Sequence, residues 1–348
     1  MSLVDTYKFP YIEITGDHYE MGFSHGKQIS EQIREYIKWI RFKSKETIKQ
    51  SQKRSMSFYN LINNYSNSYI NEIHGIAEGA NIIFEDAMLC QVRFGKLDNT
   101  NDEGCTAFSF KEKSTLNSNL YIGQNQDMDP EFLNFGFVLK LIPSIDIPQI
   151  IMFTFPGQIG YAGMNEHGIS NFANALYNFQ TQKGVPHYIL KRKLLEQRSL
   201  ETCKKILNTI NVSEAANVLI SDKKNIIDFE FHNKSRYEFT SHDQNSVIHT
   251  NHYLTDELIK KVLIPRQEFI VEFIANKMQI AANHYFENNS QDLKNYIHNT
   301  IKEALLQNKD IKRLDSIPVL GSKITSALRS SIADITFSAT EKIINDLI

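Results

Sequence analysis

The hydrophobic pattern of the chain changes once, from a helical spacing to an alternating one. Over residues 18–95, segments such as EQIREYIKWIRF and YINEIHGIAEGANIIFEDAML place apolar residues three and four positions apart, as amphipathic α-helices do. Asp17 precedes this region and Glu85 and Asp86 lie within it, and these residue types favour helix starts. The polar stretch KLDNTNDEG, residues 96–104, then predicts an exposed loop.

After this loop, short runs with β-strand character are separated by turn residues. The runs are CTAFSF, NLYIGQN, FGFVLKLI, QIIMFTFPG, IGYAGMN and GISNFANAL. Helices are predicted at 184–197, at 199–209 and, as longer segments, between about 255 and 308. More strands are predicted at 216–221, 226–232, 235–240 and 246–250, and one or two closing strands at 330–345. The order of helices, sheet, helices and sheet indicates a layered α+β protein rather than a βαβ nucleotide-binding fold.

The composition is that of an ordinary globular protein. The 348 residues are 41% hydrophobic and 22% charged, which suits one large domain or two modest ones. The formal net charge of −2 and the sequence pI of about 6.6 provide no general field for binding polyanions. The densest basic patches, residues 43–53 and 191–193, are expected to be solvated helix faces. Binding to nucleic acid is therefore not expected.

Cysteine usage and hydropathy favour a reducing compartment without a membrane span. An odd, sparse set of three cysteines argues against a disulfide framework. The first residues, MSLVDTYKFPYIEI, lack the basic and apolar regions of a signal peptide. The longest apolar stretch, residues 135–155, is broken by charged residues and prolines, so it does not reach the length of about 20 apolar residues that a transmembrane helix needs. A cytoplasmic location is expected.

Cys105 differs from the other two cysteines in its surroundings. A single cysteine is most often a small buried side chain, and Cys90 in MLCQVRF and Cys203 in LETCKKIL fit that description. Cys105 opens the first convincing strand directly after the polar loop, and Gly104 before it gives backbone freedom and close access. On this local pattern Cys105 is either a reactive thiol or a buried residue.

The motif HTNH near the end of the predicted strands offers a polar side chain at a turn. Asn251 in this motif is either a turn or capping residue or an amide donor to an oxyanion. His249 and His252 lie three residues apart, but no further ligands with a zinc-like spacing accompany them, so no metal site is predicted.

Two further features lie at strand exits. Asp127 in GQNQDMDP is either solvated or oriented towards a nearby amine or thiol. The stretch PGQIGYAGMNEHG is rich in glycine but lacks the GxGxxG fingerprint of dinucleotide sites. Its glycines are expected to permit turns and a close backbone approach at a ligand pocket.

Several of these blocks together resemble a known family. EGCTAFSF, GQNQDMDP, PGQIGYAGMNEHGISNFANAL, GVPHYILKRKLLE and HTNHYL, in this order and spacing, are similar to the acyl-coenzyme A:6-aminopenicillanic acid acyltransferase family, which comprises isopenicillin N acyltransferase-like N-terminal-nucleophile (Ntn) hydrolases. The earlier segments GDHYEMGFSHGKQI and NEIHGIAEGANIIFEDAMLCQVRFG resemble the precursor segment of that family. The resemblance covers roughly residues 11–275.

The resemblance implies a four-layer αββα Ntn-hydrolase sandwich and a precursor that cuts itself between Gly104 and Cys105. Residues 1–104 would form a helical precursor segment (the alpha chain) and residues 105–348 the nucleophile-bearing beta chain, together one folded unit. By motif, Cys105 would be the nucleophile, Asp127 would lie beside it, and Asn251 would stabilise the oxyanion.

An N-terminal cysteine would carry its own base. The new α-amine, with a pKa of about 7.7–8.0, can accept the thiol proton directly or through water. The expected reaction forms an acyl-thioester that water or an amine resolves, with a small-molecule acyl donor, acyl-CoA as one candidate substrate, and no cofactor or metal.

Three departures from the family pattern leave a second function open. Ala107 stands where the penicillin enzyme has a hydroxyl, the late arginine-bearing motif reads SIPV at residues 316–319, and the final Gly-Pro is missing after the last predicted strand. An unprocessed, non-catalytic member that binds a small ligand or a partner is the alternative, and homo-oligomerisation stays open.

Overall fold

The structure, a computed structural model, describes most of the chain up to residue 259. The described ranges are 9–93, 104–128, 130–176, 183–232, 235–239 and 245–259. The chain divides into two compact units, 1–250 and 251–348, and every helix and strand named below belongs to the first. The second unit is described only over residues 251–259, so the predicted segments beyond them lie outside the described residues. The predicted division into chains 1–104 and 105–348 stays a prediction.

Six helices occupy the region where the apolar spacing is helical. They are α1 (His18–Gln28), α2 (Ser30–Ser44), α3 (Ile48–Met56), α4 (Tyr59–Tyr65), α5 (Asn67–Ala80) and α6 (Phe84–Val92). Asp17 caps α1, because its side chain accepts from the backbone of Glu20 while the Glu20 side chain accepts from the backbone of Asp17. α1 and α5 pack backbone against backbone, since a β-carbon on Gly22 would overlap the backbone oxygen of Glu72. None of the helices in the described part of the chain is long and apolar enough to cross a bilayer.

The later segments also match the predicted pattern. The two further helices are α7 (His187–Leu195) and α8 (Leu200–Thr209). The strands are β1 (Tyr11–Gly16), β2 (Gly104–Phe110), β3 (Tyr121–Asp127), β4 (Phe137–Pro143), β5 (Ile150–Thr154), β6 (Ala162–Asn165), β7 (Ser170–Ala175), β8 (Ala216–Ser221), β9 (Ile226–His232), β10 (Ser235–Phe239) and β11 (Ser246–His249). β1 is the one strand of this set that the sequence pattern did not predict.

The strands form two sheets. The large sheet has the order β1-β4-β5-β6-β7-β8-β9-β10, and the small one has the order β11-β2-β3. β1 pairs with β4 in parallel, while the other pairs in both sheets are antiparallel. Residues 11–16 therefore supply an edge strand to a sheet that is otherwise built from residues after 105.

The layers stack in the order helices, large sheet, small sheet. Val218 and Ile220 of β8 point into the core that the helices share with the large sheet. Leu219 between them points to the other side, where it packs against Ala107 of β2 and Val247 of β11. The α+β prediction is confirmed. The outer helical layer of the predicted αββα sandwich falls almost wholly outside the described residues.

The prediction of a solvated basic face at residues 191–193 is wrong. Lys191 is 3% exposed and Arg192 is fully buried. Arg192 binds both carboxylate oxygens of Glu72, at 2.7 and 2.9 Å, and donates from Nε to Glu196 at 2.9 Å. His18 is the second partner of Glu72, at 2.7 Å. A buried cation is tolerated because its charge and its N–H donors are matched in this way.

We predict that Arg192→Met lowers the free energy of unfolding by about 3–5 kcal/mol, because it leaves the buried charge of Glu72 with His18 alone. Urea unfolding measures this change. Arg198 is a matched control, since it pairs with Asp146 at the surface with 51% of its side chain exposed. Arg198→Met should cost about 1 kcal/mol or less. Equal losses in the two variants would show that the buried pair contributes no more than a surface pair.

Candidate active site

Cys105 lies in β2, the central strand of the small sheet. It pairs in register with Gln126 of β3, while Ala107 pairs with Gln124 of β3 and with His249 of β11. Opposed residues of antiparallel strands share a face, as do residues two apart in one strand. Because Ala107 is fully buried against the large sheet, the partly exposed Cys105 side chain is directed to the space between the sheets.

The predicted cleavage bond is part of the same strand. Gly104 is buried and pairs in register with Asp127. The Asp127 side chain is exposed and, by strand alternation, lies on the face opposite to that of Gln126. The register thus brings the Asp127 backbone beside the Gly104–Cys105 bond, and the role of its carboxylate stays a prediction.

Asn251 follows β11 at the start of the second unit, and its role also stays a prediction. The strand that leads to it is anchored by the buried His249. The His249 ring binds Glu230 at 2.8 Å, and Asn174 donates to the His249 backbone oxygen at 3.0 Å. Burial by itself lowers the pKa of His249, but the carboxylates of Asp228 and Glu230 raise it above its usual value. The two carboxylates thus favour the protonated imidazole, and Glu230 pairs with it directly.

A cavity of about 690 Å³ opens between the two sheets and is lined by Gln126, the register partner of Cys105. Its polar lining includes Gln124 and Gln126, the residues in register with Ala107 and Cys105. The rest is mainly apolar and comes from both sheets and the segments around them: Phe9, Ile122, Met128, Pro130, Phe132, Leu133, Val138, Ile151, Met152, Phe153, Phe155, Ala162, Gly163, Met164 and Phe172. Such a cavity suits an apolar group with a polar end near the thiol.

The glycine-rich stretch borders this cavity. Gly163 lines the cavity directly, and Gly157 adopts φ +77°, which favours glycine. Gln91 of α6 donates to the Gly157 backbone oxygen at 2.6 Å and accepts from the Ile159 backbone at 3.2 Å. The expected close approach of this stretch to a pocket is confirmed.

A cluster of buried basic side chains and aromatic rings, which the sequence pattern did not predict, contacts Gln126, the register partner of Cys105. Arg93 donates to the hydroxyls of Tyr36 at 2.7 Å and of Tyr188 at 2.9 Å. Tyr161 donates to Gln126 at 3.1 Å, and Lys191 Nζ lies 4.2 Å from the centroid of the Tyr161 ring. The sequence carries a signal for this cluster in ILKRKLL, which places charged residues inside an apolar run. This run belongs to a block that resembles the family.

The other two cysteines are buried, as predicted. Cys90 and Cys203 are both fully buried, and burial raises the pKa of both thiols, that of Cys203 to about 12. Neither is in a disulfide, and all three cysteines lie within the described residues. Of the three thiols, Cys105 is thus the partly exposed one, and its register partner Gln126 lines the cavity.

Comparison with known proteins gives one family match and low-similarity structural matches. The model of the acyl-coenzyme A:6-aminopenicillanic acid acyl-transferase family matches residues 114–317, more than half of the chain. A solved N-acylethanolamine-hydrolyzing acid amidase ortholog from Caenorhabditis elegans is 16% identical, with a TM-score of 0.35 over 42% of this chain and 70% of that one. Penicillin V acylase from Agrobacterium tumefaciens is 11% identical, with a TM-score of 0.26. That match covers 55% of this chain and only 51% of the acylase.

Proposed function

Because the chain belongs to the acyl-coenzyme A:6-aminopenicillanic acid acyl-transferase family, we propose that it cuts itself before Cys105 and then hydrolyses or transfers acyl groups through a Cys105 thioester. The observation that supports this proposal is the register of β2, which directs Cys105 into the space between the sheets and pairs it with Gln126, a residue that lines a mainly apolar cavity. The family match begins after Cys105, so the choice of Cys105 as the nucleophile rests on its position in β2.

The cut converts an ordinary strand cysteine into a nucleophile with its own base. The Cys105 thiolate attacks the Gly104 carbonyl carbon, the C–N bond breaks, and water hydrolyses the resulting thioester. The freed α-amine then accepts the thiol proton in each turnover. The chemistry needs no cofactor or metal, and acyl-CoA would enter as a substrate.

The cavity indicates the class of acyl group. An acyl chain held in it would contact phenylalanine, isoleucine and methionine side chains, while its carbonyl would remain near Gln126 and Cys105. Apolar surface removed from water contributes about 25 cal/mol per Å², so an apolar acyl group is favoured over a charged one. The substrate is therefore a small amide or thioester with an apolar acyl group, and its acceptor is water or an amine.

The two remaining predicted residues have distinct roles in this mechanism. Asp127, whose backbone lies beside the bond that is cut, would orient the new α-amine. Asn251 would donate to the oxyanion of the tetrahedral intermediate, which forms both in the cut and in each turnover.

We predict that the purified chain splits into residues 1–104 and 105–348 without a protease, whereas Cys105→Ala remains one chain, because no thiol can attack the Gly104 carbonyl. Cys203→Ala is the matched control and should still be cut. Intact mass and N-terminal sequencing measure the products. Cutting of Cys105→Ala at the same bond would refute self-processing, and an uncut wild-type chain would favour the non-catalytic binding protein.

We predict that Asn251→Ala, tested on protein that is already cut, lowers turnover by about 10²–10³, the usual effect of removing one oxyanion donor. The melting temperature should change little, because the alanine only replaces a polar side chain after β11 ends. Initial rates with an apolar N-acyl amine and a thermal melt give the two readouts. Normal turnover at an unchanged melting temperature would remove Asn251 from the mechanism.

A further inference from the structure

The proposed cut requires a base that is not the α-amine. Before the cut the Cys105 nitrogen is an amide, which cannot accept the thiol proton. An ordinary cysteine, with a pKa of about 8.5, is mostly protonated at neutral pH. The uncut chain must therefore supply another group near Cys105.

Lys191 is a buried amine that packs on Tyr161, whose hydroxyl donates to Gln126 opposite Cys105. It lies on α7, is 3% exposed, and its Nζ lies 4.2 Å from the ring centroid of Tyr161 and 5.9 Å from that of Tyr188. A charge on Cys105 raises the pKa of Lys191, so the two groups interact electrostatically. Burial of a lysine amine away from water costs free energy unless a strong partner compensates it, so such a position indicates either a partner or a function.

Shared neighbours connect Lys191 to the β2 thiol. Cys105 lies opposite Gln126, and side chains so paired are neighbours on one face. Gln126 accepts a hydrogen bond from the Tyr161 hydroxyl, and Lys191 Nζ lies over the ring of the same tyrosine. The backbone oxygen of Lys191 accepts from Asn171 of β7 at 3.2 Å, which fixes this turn of α7 against the large sheet.

Burial favours the neutral form of Lys191. Burial, together with the Arg93 cation at the end of α6, lowers the pKa of Lys191 to about 7, although Cys105 and Glu214 act in the opposite direction. On α7 itself, burial lowers the pKa of His187 well below its usual value, so that imidazole adds no charge at neutral pH.

The phenols nearby do not compete as bases. Burial raises the pKa of both Tyr161 and Tyr188, so both hydroxyls stay protonated. Because the pKa of Lys191 is lowered to about 7, a substantial fraction of the chains carries a neutral Lys191 amine at neutral pH.

We propose that Lys191 is the base for self-cleavage: it accepts the Cys105 thiol proton in the uncut chain and then gives it to the leaving nitrogen. This inference rests on the proposed self-processing. The thiolate forms a C–S bond to the Gly104 carbonyl carbon as the Gly104–Cys105 C–N bond breaks. The released nitrogen takes the proton from the Lys191 ammonium and becomes the α-amine, and water then cleaves the thioester to the Gly104 carboxylate and the thiol. Lys191 ends in the neutral form in which it began.

The test follows the cut in pulse-labelled full-length chain from cell-free translation, chased at pH values from about 6 to 9. Lys191→Gln should cut about 10²-fold more slowly at pH 7, the usual contribution of a positioned base. Lys191→Arg should be similarly slow, because a guanidinium stays protonated and supplies charge without accepting a proton. Lys193→Gln is the control and should cut at the wild-type rate, since Lys193 is 35% exposed and pairs with Glu196.

The pH profile of the wild-type chain gives a test that needs no variant. Because the neutral amine is the base, the rate should rise up to about pH 7 and level off above it. Lys191→Gln relies on hydroxide instead, so its rate should keep rising towards the thiol pKa of about 8.5.

The possible results separate a failure of this inference from a failure of the proposed function. An uncut wild-type chain refutes the proposed self-processing itself. A wild-type chain that cuts, with Lys191→Gln or Lys191→Arg at the same rate, overturns the role of Lys191 alone. A wild-type rate that rises tenfold per pH unit up to pH 9 overturns it as well, even if both variants fail to fold.

Discussion

The antiparallel register of the small sheet is the constraint on which the site depends. The pairs Cys105–Gln126 and Ala107–His249 decide which side chains of β2 point between the sheets. A slip of one residue would turn Cys105 away from the cavity and bring Gly104 and Thr106 into its place. The register is held by the buried contact of Ala107 with Leu219 and by the pair between His249 and Glu230. The core of the sandwich and the position of the thiol are thus set by the same contacts.

Buried charged side chains connect residues before Cys105 with residues after it through ion pairs and hydrogen bonds. Arg192 lies after Cys105 and binds Glu72, which lies before it. Arg93, near the end of the precursor segment, donates to Tyr188 of α7. β1 adds backbone pairing to β4. Because these contacts do not involve the Gly104–Cys105 bond, they can persist after it breaks, and the precursor segment would remain part of the mature enzyme.

The sequence predicted the helices and strands that have a regular apolar spacing, and it missed features that depend on contacts between distant parts of the chain. Apolar spacing located the helical region that holds α1–α6, the helices α7 and α8, and the strands β2–β11, since periodicity directly reports which side of an element is buried. β1 was missed although Ile12 and Ile14 alternate with polar residues, because its parallel partner β4 lies far along the chain and the local pattern does not show that pairing. Lys191 was assigned to a solvated face, because burial of a lysine depends on which rings and strands the fold brings around it. Cys105, Asp127 and Asn251 were identified by motif resemblance. The structure adds the register of Cys105 and Asp127 in the small sheet.

The central claim is that Cys105 carries the acyl group, and the most direct measurement is the mass of the 105–348 chain during turnover. The processed protein would be mixed with a panel of acyl-CoA thioesters and N-acyl amino acids, quenched in acid and analysed intact, then digested to locate the adduct. One acyl group is expected on the N-terminal Cys105 peptide, and neutral hydroxylamine should release it as it releases a thioester. Product release without any adduct on Cys105, or an adduct on Cys90 or Cys203, would contradict it.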